Sequence, residues 1–282
     1  MSSEPASAAL RRLTLASGHN IEVRDQGKGA PLLLMHGVGG SAHAWDILFP
    51  VLGQGRRLLA WNAPGYGGST PFAMPAPALD DYVGAAVALL DALGLDRVDV
   101  LGHSMGGLIA ARLASLAPQR VARLVLADCS SGHLGYDAQK RNQILSTRLS
   151  QDANDPWVYA RARAPKLLSA LASPVLVEQA SAMLARLRQP GFGQAANMVA
   201  HSDVFDFAGR IAAPTVVICG TEDGITPESL NQRIAQAIPG ARYRAIEGAG
   251  HWSFLEKPGD FAQAVDAHLG AGASLSSNHH RG

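Results

Sequence analysis

The sequence contains one segment whose residue types and spacing suit nucleophilic catalysis. Gly102, His103, Ser104, Met105 and Gly106 form the pattern G-x-S-x-G, after a predicted strand and before a predicted helix. In that setting the pattern describes a very tight turn that projects a serine hydroxyl, and the two glycines keep side chains out of the crowded space around it. The dipole of the following helix directs its positive end at the serine. The segment predicts that Ser104 is a nucleophile; a glycine-rich turn with an incidental serine is the alternative.

His251 is the histidine best placed to act as the base for that serine. A serine hydroxyl attacks efficiently only when a neighbouring base accepts its proton. The chain has ten histidines, and most stand outside any motif or in the C-terminal tail. His251 instead follows Gly-Ala-Gly, in a loop between a predicted strand and a predicted helix. Because the carboxyl ends of parallel strands share one edge of a sheet, we expect this loop to open beside Ser104.

A carboxylate is expected to orient the imidazole and to stabilise its charged form. Asp223 lies in Gly-Thr-Glu-Asp-Gly, directly after one predicted strand, and Asp128 follows another. Glu222 is a weaker third candidate. Asp223 and Asp128 both fall between the serine and the histidine in the chain, so their order does not separate them. We favour Asp223, for which the alternative role is to cap the next helix.

Two backbone N–H groups should stabilise the negative charge that develops on a carbonyl oxygen under attack. Met105 follows the nucleophile and is expected to supply one, and Val38, in the glycine-rich loop at 36–40, is suited to supply the other. That loop lacks the Lys-Ser/Thr of a phosphate-binding loop and the spacing of a dinucleotide site. The chain also lacks HExxH and clustered Cys and His, so we expect neither a metal nor an organic cofactor.

Composition narrows the class of protein and its partners. The 282 residues are 47% hydrophobic and carry a formal net charge of +1. Such a chain lacks the electrostatic footprint of proteins that bind nucleic acids or anionic membranes. Its apolar runs stop well before the roughly 18 residues of a membrane span, and its first twenty residues lack the apolar segment of an export signal. Two cysteines are too few for a disulfide framework. We therefore expect a cytoplasmic protein and leave its oligomeric state open.

The elements that must position these residues alternate along the chain. Short apolar runs predict buried parallel strands at 31–36, 57–62, 98–101, 123–127, 214–220 and 241–246. Apolar residues at helical spacing predict helices at 81–93, 105–117, 174–188, 227–238 and 258–269. From about 132 to 207 no strand pattern occurs. We expect an α/β fold with a mostly parallel sheet flanked by helices. Its core domain comprises residues 10–131 and 208–270, with a helical cap at 132–207 and flexible tails at 1–9 and 271–282.

Four segments in order carry a resemblance to the α/β-hydrolase superfamily: HGVGG at 36–40, APGYGGS at 63–69, GHSMGG at 102–107, and the pair GTEDGITP at 220–227 and GAGHW at 248–252. The resemblance covers about residues 20 to 270. It implies that Ser104 is the nucleophile, Asp223 the acid and His251 the base of a catalytic triad. It also implies that Val38 and Met105 are the oxyanion donors.

Within that superfamily the chain resembles 3-oxoadipate enol-lactonases, through the place of its cap and the segment GFGQAANMVAHSDV at 191–204. The sequence GHW is also similar to that of hydrolases that cleave a carbon–carbon bond of ring-fission products. The resemblance implies hydrolysis of a small ester or lactone, of the enol-lactone type. Carbon–carbon hydrolysis, cofactor-free haloperoxidase or perhydrolase chemistry, and a non-catalytic ligand receptor on the same scaffold are the alternatives.

The predicted cap is the basic part of the chain. Residues 133–205 contain eight basic residues, counting Lys and Arg together, and only five acidic residues, counting Asp and Glu together. A positive cap favours a carboxylate-bearing substrate, whereas arginines on helices often form no more than a solvated face. Trp157 and Trp252 are candidates to line an apolar substrate pocket, with ordinary core packing as the alternative.

Overall fold

The computed structural model describes residues 10–149 and 155–270, so the predicted flexible tails lie outside the described residues. Within these two ranges, eight strands form one sheet: β1 (Leu10–Thr14), β2 (Asn20–Gly27), β3 (Ala30–Met35), β4 (Arg56–Trp61), β5 (Val98–His103), β6 (Val121–Ala127), β7 (Thr215–Gly220) and β8 (Arg242–Ile246). Their order across the sheet is β1-β2-β4-β3-β5-β6-β7-β8. The pairs β1–β2 and β2–β4 are antiparallel, and the other neighbours are parallel.

Helices connect these strands and cover the sheet. The α-helices are α1 (Phe49–Leu52), α2 (Leu79–Ala92), α3 (Met105–Leu116), α4 (Ala138–Leu149), α5 (Pro156–Arg163), α6 (Pro174–Leu184), α7 (Gly191–Ala200), α8 (Glu228–Ala237), α9 (Ser253–Glu256) and α10 (Pro258–Leu269). Short 3-10 helices lie at Ala42–Trp45, Pro118–Arg120, Ala164–Leu167, Val204–Asp206 and Ala208–Arg210. The mostly parallel, helix-flanked sheet confirms the predicted fold class. Within the described ranges, no helix combines the length and the apolar character that a membrane span requires.

Strands β1 and β2 form an antiparallel edge that the sequence analysis missed. The other six strands lie within two residues of their predicted bounds. No residue of β1 is buried, and in β2 the buried Ile21 and Val23 alternate with partly exposed residues. An edge strand needs only one buried face, so it lacks the continuous apolar run that revealed the interior strands.

The interior strands are apolar throughout because their side chains enter two separate hydrophobic layers. In β3, Leu33 and Met35 belong to the layer that also holds the buried side chains of α2, α3 and α8. Leu32 and Leu34 belong to the opposite layer, with the buried side chains of α1 and α10. Helices thus cover both faces and leave the carboxyl edge of the sheet as the place where loops meet, which is where α/β proteins place their sites.

The segment predicted as a helical cap, residues 132–207, holds α4 to α7 between β6 and β7. Its described residues form no strand, and one isolated bridge pairs Gly132 with Asp203. The helix predicted at 174–188 ends earlier, at Leu184. We did not predict α4 and α5 because neither has an apolar face: α4 has no buried residue and α5 buries only Ala160. The division of the chain into core and cap domains stays a prediction.

Helix α3 approaches the end of β3 backbone against backbone, and Gly106 permits this contact. A Cβ added at Gly106 would overlap the carbonyl group of Met35 and crowd the carbonyl oxygen of His36. The contact holds the start of α3, and therefore Ser104, against the loop that follows β3. Any side chain at this position would push the helix away from the sheet.

We expect Gly106→Ala to lower the free energy of unfolding by about 1–3 kcal/mol, since the neighbouring atoms are backbone and cannot move aside. Gly84 is the matched control, because it lies on the exposed side of α2 and an added Cβ meets no atom within 4 Å. Gly84→Ala should raise the same free energy by about 0.5–1 kcal/mol. Urea denaturation measures both shifts. A Gly106→Ala protein as stable as the wild type would contradict the close approach.

Candidate active site

Ser104 lies in a strained turn between β5 and α3. Its φ is 54° and its ψ is −114°, a combination that residues with a side chain seldom adopt. The Ser104 N–H donates to the Ala127 carbonyl oxygen at 2.9 Å, and the Leu108 N–H donates to the Ser104 carbonyl oxygen at 3.1 Å. A Cβ at Gly102 would overlap the Gly106 carbonyl oxygen, so the turn requires glycine there. Neighbouring backbone therefore holds the serine in its strained conformation.

Ser104, His251 and Asp223 form one line of hydrogen bonds. Nε2 of His251 lies 3.1 Å from Oγ of Ser104, and Nδ1 lies 2.8 Å from Oδ2 of Asp223. The imidazole and the carboxylate are both buried. With Nδ1–H donating to the carboxylate, Nε2 can accept the proton of Ser104. The structure thus brings together the three residues that the sequence predicts for a triad.

Local backbone and one hydroxyl hold the Asp223 carboxylate. Its Oδ1 accepts the N–H groups of Ile225 and Thr226 at 2.7 and 2.9 Å, and its Oδ2 accepts the Thr226 hydroxyl at 2.7 Å. Burial acts to raise the pKa of Asp223, but the nearby His251 and these hydrogen bonds outweigh burial and lower the pKa below its ordinary value. The carboxylate is therefore charged at neutral pH and can stabilise a protonated His251.

The two rival carboxylates point elsewhere. Asp128 accepts the Gly220 N–H at 2.9 Å and the Ser253 hydroxyl at 2.6 Å. Burial and the nearby charge of Asp223 raise the pKa of Asp128 well above its ordinary value. Glu222 is exposed and accepts the Ala170 N–H at 3.3 Å. Of the three candidates, Asp223 is the one bonded to the imidazole of His251.

Val38 and Met105 both line the cavity beside Ser104. In the described part of the chain, neither backbone N–H has a hydrogen-bond partner. The Met105 N–H opens α3, where an N–H lacks a partner within its own helix. The Tyr66 hydroxyl donates to the Val38 carbonyl oxygen at 3.0 Å and so fixes that loop. Both groups are available to a carbonyl oxygen, as the predicted oxyanion hole requires.

Two buried histidines that we had not assigned hold the surrounding backbone. Nε2 of His36 accepts the Ala63 N–H at 3.1 Å, and its Nδ1 donates to the Gly37 carbonyl oxygen at 2.8 Å. Nε2 of His103 donates to the carbonyl oxygen of His251 at 2.8 Å. Burial lowers the pKa of His36 to about 4 and, together with the nearby His251, that of His103 to about 3. Both rings are therefore neutral at neutral pH.

Sequence reasoning also missed Thr226. Its Oγ lies 2.7 Å from Oδ2 of Asp223, 2.9 Å from the carbonyl oxygen of Asp128 and 3.2 Å from Nδ1 of His251. A threonine three residues after an aspartate, just before a helix, commonly bonds local backbone and side chains, and this spacing was the available signal.

A cavity of about 230 Å³ opens at Ser104, between the carboxyl edge of the sheet and the cap. Trp252 lines it, whereas Trp157 is not among the described residues that do. Trp157 is 38% exposed, with the Arg161 guanidinium 5.3 Å above its ring. The prediction of Trp157 as a pocket residue is corrected accordingly, because α5 turns Tyr159 toward the cavity instead.

One group of side chains near the triad has the composition of a metal site. Asp128, Cys219 and Asp223 offer ligand atoms within 4.8 Å of one another. The carboxylate oxygens already accept hydrogen bonds from Gly220, Ser253, Thr226 and His251. Burial, reinforced by the two nearby carboxylates, raises the pKa of the Cys219 thiol, whereas a metal requires the thiolate. The donor set therefore fits a hydrogen-bonded network rather than a metal ion.

Comparisons with known proteins agree with this fold. A family model described as the alpha/beta hydrolase fold matches residues 30–258. A 2-hydroxymuconate semialdehyde hydrolase from Pseudomonas putida is 30% identical over 98% of this chain and 100% of its own length. The structure of a hydrolase from Pseudomonas aeruginosa PA01 has a TM-score of 0.83 and 33% identity, covering 94% of this chain and all of that one. The enol-lactonase from Burkholderia xenovorans LB400 has a TM-score of 0.81 over 92% and 99% of the two chains, but its 23% identity shows the fold alone.

We expect Asp223→Asn to lower kcat by about 10⁴, by analogy with proteases in which the amide holds the imidazole in the wrong tautomer. Asp128→Asn is the matched control, because its side-chain oxygen can still accept the Gly220 N–H. Its kcat should fall less than about tenfold. An ester assay and thermal unfolding of both variants provide the comparison. If folded Asp128→Asn loses more activity than Asp223→Asn, the acid has been assigned wrongly.

We expect dialysis against EDTA to leave the rate of hydrolysis unchanged, since the cluster around Cys219 keeps its thiol proton and its hydrogen bonds. The rate before and after dialysis, with and without added Zn²⁺ or Mg²⁺, is the measurement. A large loss that one divalent ion restores would refute this expectation.

Proposed function

We propose that this chain, which belongs to the α/β-hydrolase fold family, is a serine hydrolase that cleaves a small carboxylic ester or lactone. The observation that carries the proposal is the line of contacts from Ser104 Oγ to His251 at 3.1 Å and from His251 to Asp223 at 2.8 Å. That line ends in a cavity of about 230 Å³, which can hold a small molecule. An enol-lactone, the substrate type favoured by the sequence, fits this description.

The first half of the reaction forms an acyl-enzyme. Nε2 of His251 takes the proton of Ser104 as Oγ attacks the carbonyl carbon, and the negative charge moves to the carbonyl oxygen. The N–H groups of Val38 and Met105 stabilise that oxygen, and Asp223 stabilises the imidazolium. The carbon–oxygen bond then breaks, and the leaving oxygen takes the proton from Nε2. In a lactone the leaving oxygen stays attached to the acyl group through the opened ring.

The second half returns the enzyme to its starting state. A water molecule attacks the acyl carbon while His251 takes one of its protons. The same two N–H groups stabilise the second oxyanion. Collapse of that intermediate releases the carboxylic acid, and Ser104 Oγ recovers its proton from Nε2. The cycle consumes one water and needs no other reactant.

Carbon–carbon hydrolysis is a second candidate, favoured by the full-length relative named as a 2-hydroxymuconate semialdehyde hydrolase. The same attack by Ser104 applies when the group that leaves is a carbon whose electron pair is delocalised into a conjugated enolate. His251 would then return its proton to that fragment instead of to an alcohol oxygen. The two candidates differ in the leaving group and share the acyl-enzyme.

We expect Ser104→Ala to remove nearly all turnover while the protein stays folded, since the change deletes one hydroxyl and leaves only the oxyanion hole and binding to assist water. A fluorophosphonate should label wild-type protein at Ser104 and fail to label the variant, as peptide mass spectrometry would show. Full activity of the variant, or labelling at another serine, would remove the basis of the proposal.

A panel of substrates distinguishes hydrolysis of esters and lactones from hydrolysis of a carbon–carbon bond. It should contain short acyl esters, enol-lactones and ring-fission products, with peroxide-dependent halogenation as a further arm. Turnover of ring-fission products with kcat/KM well above that of every ester and lactone would select carbon–carbon hydrolysis. Ligand binding without turnover of any compound would instead point to a receptor on this scaffold.

A further inference from the structure

The cap side of the cavity carries an excess of positive charge. Lys140 and Arg148 from α4 and Arg163 from α5 all line it. None of the described residues that line the cavity is Asp or Glu. Within residues 10–149 and 155–270, none of these three cations forms an ion pair. The cavity therefore presents three positive charges that the described protein leaves uncompensated.

Arg148 has one guanidinium nitrogen that is shielded from solvent and unpaired. Its Nη1 is buried and finds no hydrogen-bond partner among the described residues. Leaving a buried guanidinium donor unpaired costs free energy, because neither water nor protein replaces its lost hydration. Such a cost is expected where a residue is kept for binding rather than for folding.

The pKa values of Arg148 and His133 indicate the same positive environment. Burial, and then the charge of Arg163, lowers the pKa of Arg148. Burial, and then the charges of Arg148 and Lys140, lowers the pKa of His133 to about 4, so this cavity residue adds no charge at neutral pH. Lys140, Arg148 and Arg163 thus form a positive wall of the cavity, in which Arg148 has an unpaired nitrogen and no described carboxylate lies opposite.

We infer that Arg148 and Arg163 form an anion subsite that binds a carboxylate on the part of the substrate that faces the cap. The inference rests on the proposed function, since it places this carboxylate in the cavity where Ser104 attacks. A guanidinium donates two parallel N–H groups that match the two oxygens of a carboxylate. Lys140 is exposed, with its Nζ 4.2 Å above the Tyr136 ring, and supports the subsite by charge at its rim.

Two other cap arginines, Arg161 and Arg188, are not among the described residues that line the cavity. Arg161 lies over Trp157 on the outside of α5, and Arg188 is exposed and donates to the carbonyl oxygens of Ala185 and Leu187. Arg161 and Arg188 therefore fit the alternative interpretation of the basic cap, in which arginines on helices form a solvated face. Arg161 is therefore a matched control for Arg163, two residues away on the same helix.

The test uses two 4-nitrophenyl esters of glutaric acid, one with its second carboxyl free and one with that carboxyl methylated. We expect wild-type protein to have a KM about tenfold or more lower for the free acid, the effect of a hydrogen bond to a charged group. Arg148→Met and Arg163→Met should lose most of this preference, because the KM for the free acid rises toward that for the methylated ester. Arg161→Met should keep the preference.

A binding arm does not depend on turnover. Glutarate should raise the Tm of wild-type protein and of Ser104→Ala, but not that of Arg148→Met, whereas glutaramide should raise none of them. The unliganded Tm of Arg148→Met should equal or exceed that of the wild type, because the variant no longer leaves a buried guanidinium nitrogen unpaired.

The outcomes separate the two proposals. Equal KM values for both esters in wild type and Arg148→Met would overturn the subsite and leave the hydrolase intact. Stabilisation by glutarate through Arg148, with neither ester hydrolysed, would support the subsite and overturn the esterase proposal. Inorganic phosphate that raised the Tm as much as glutarate at equal ionic strength would overturn the assignment to a carboxylate.

Discussion

The direct backbone contact between the start of α3 and the end of β3 is the constraint on which the rest of the site depends. Gly106 lies against the Met35 carbonyl group with no room for a side chain. This contact holds Ser104 beside the loop that contains Val38. The candidate nucleophile and both candidate N–H donors therefore belong to one rigid backbone arrangement, which needs no reorganisation when negative charge develops.

Beside this backbone arrangement, two carboxylates share a buried region, and their pKa values are shifted in opposite directions. Asp223 receives two backbone N–H groups, one hydroxyl and His251, and its pKa is lowered. Asp128 receives fewer donors, is fully buried and faces the charge of Asp223, and its pKa is raised. Thr226 contacts both residues and His251, so the hydroxyl links the acid to the supporting network. The charge and hydrogen bond of His251, followed by the hydrogen bonds from Thr226, are what lower the pKa of Asp223 while that of Asp128 rises.

The sequence revealed the parts of the site that the backbone determines. Ser104 and His251 were recognisable because a tight turn needs glycines at fixed positions and because parallel strands place their following loops at one edge. We favoured Asp223 over Asp128, but chain order did not separate them, since both follow strands and the choice depends on which side chain reaches His251. The sequence did not indicate which way Trp157 points, because α5 has no apolar face from which the orientation of the helix about its axis could be inferred. The strands β1 and β2 were missed because edge strands lack a continuous apolar run.

The difference between features fixed by backbone and features fixed by side-chain placement also applies to the cavity. Ser104, Val38 and Met105 are held by close backbone contacts, and the glycine pattern of the sequence indicates those contacts. Arg148 and Arg163 lie on α4 and α5, whose polar sequences follow no recognisable pattern. Neither helix belongs to the sheet or to the turn at Ser104. A change in the positive wall of the cavity therefore need not alter the contacts among Ser104, His251 and Asp223. Under the proposed function, the charge of the cap, rather than the motif around Ser104, bears on which compound the cavity accepts.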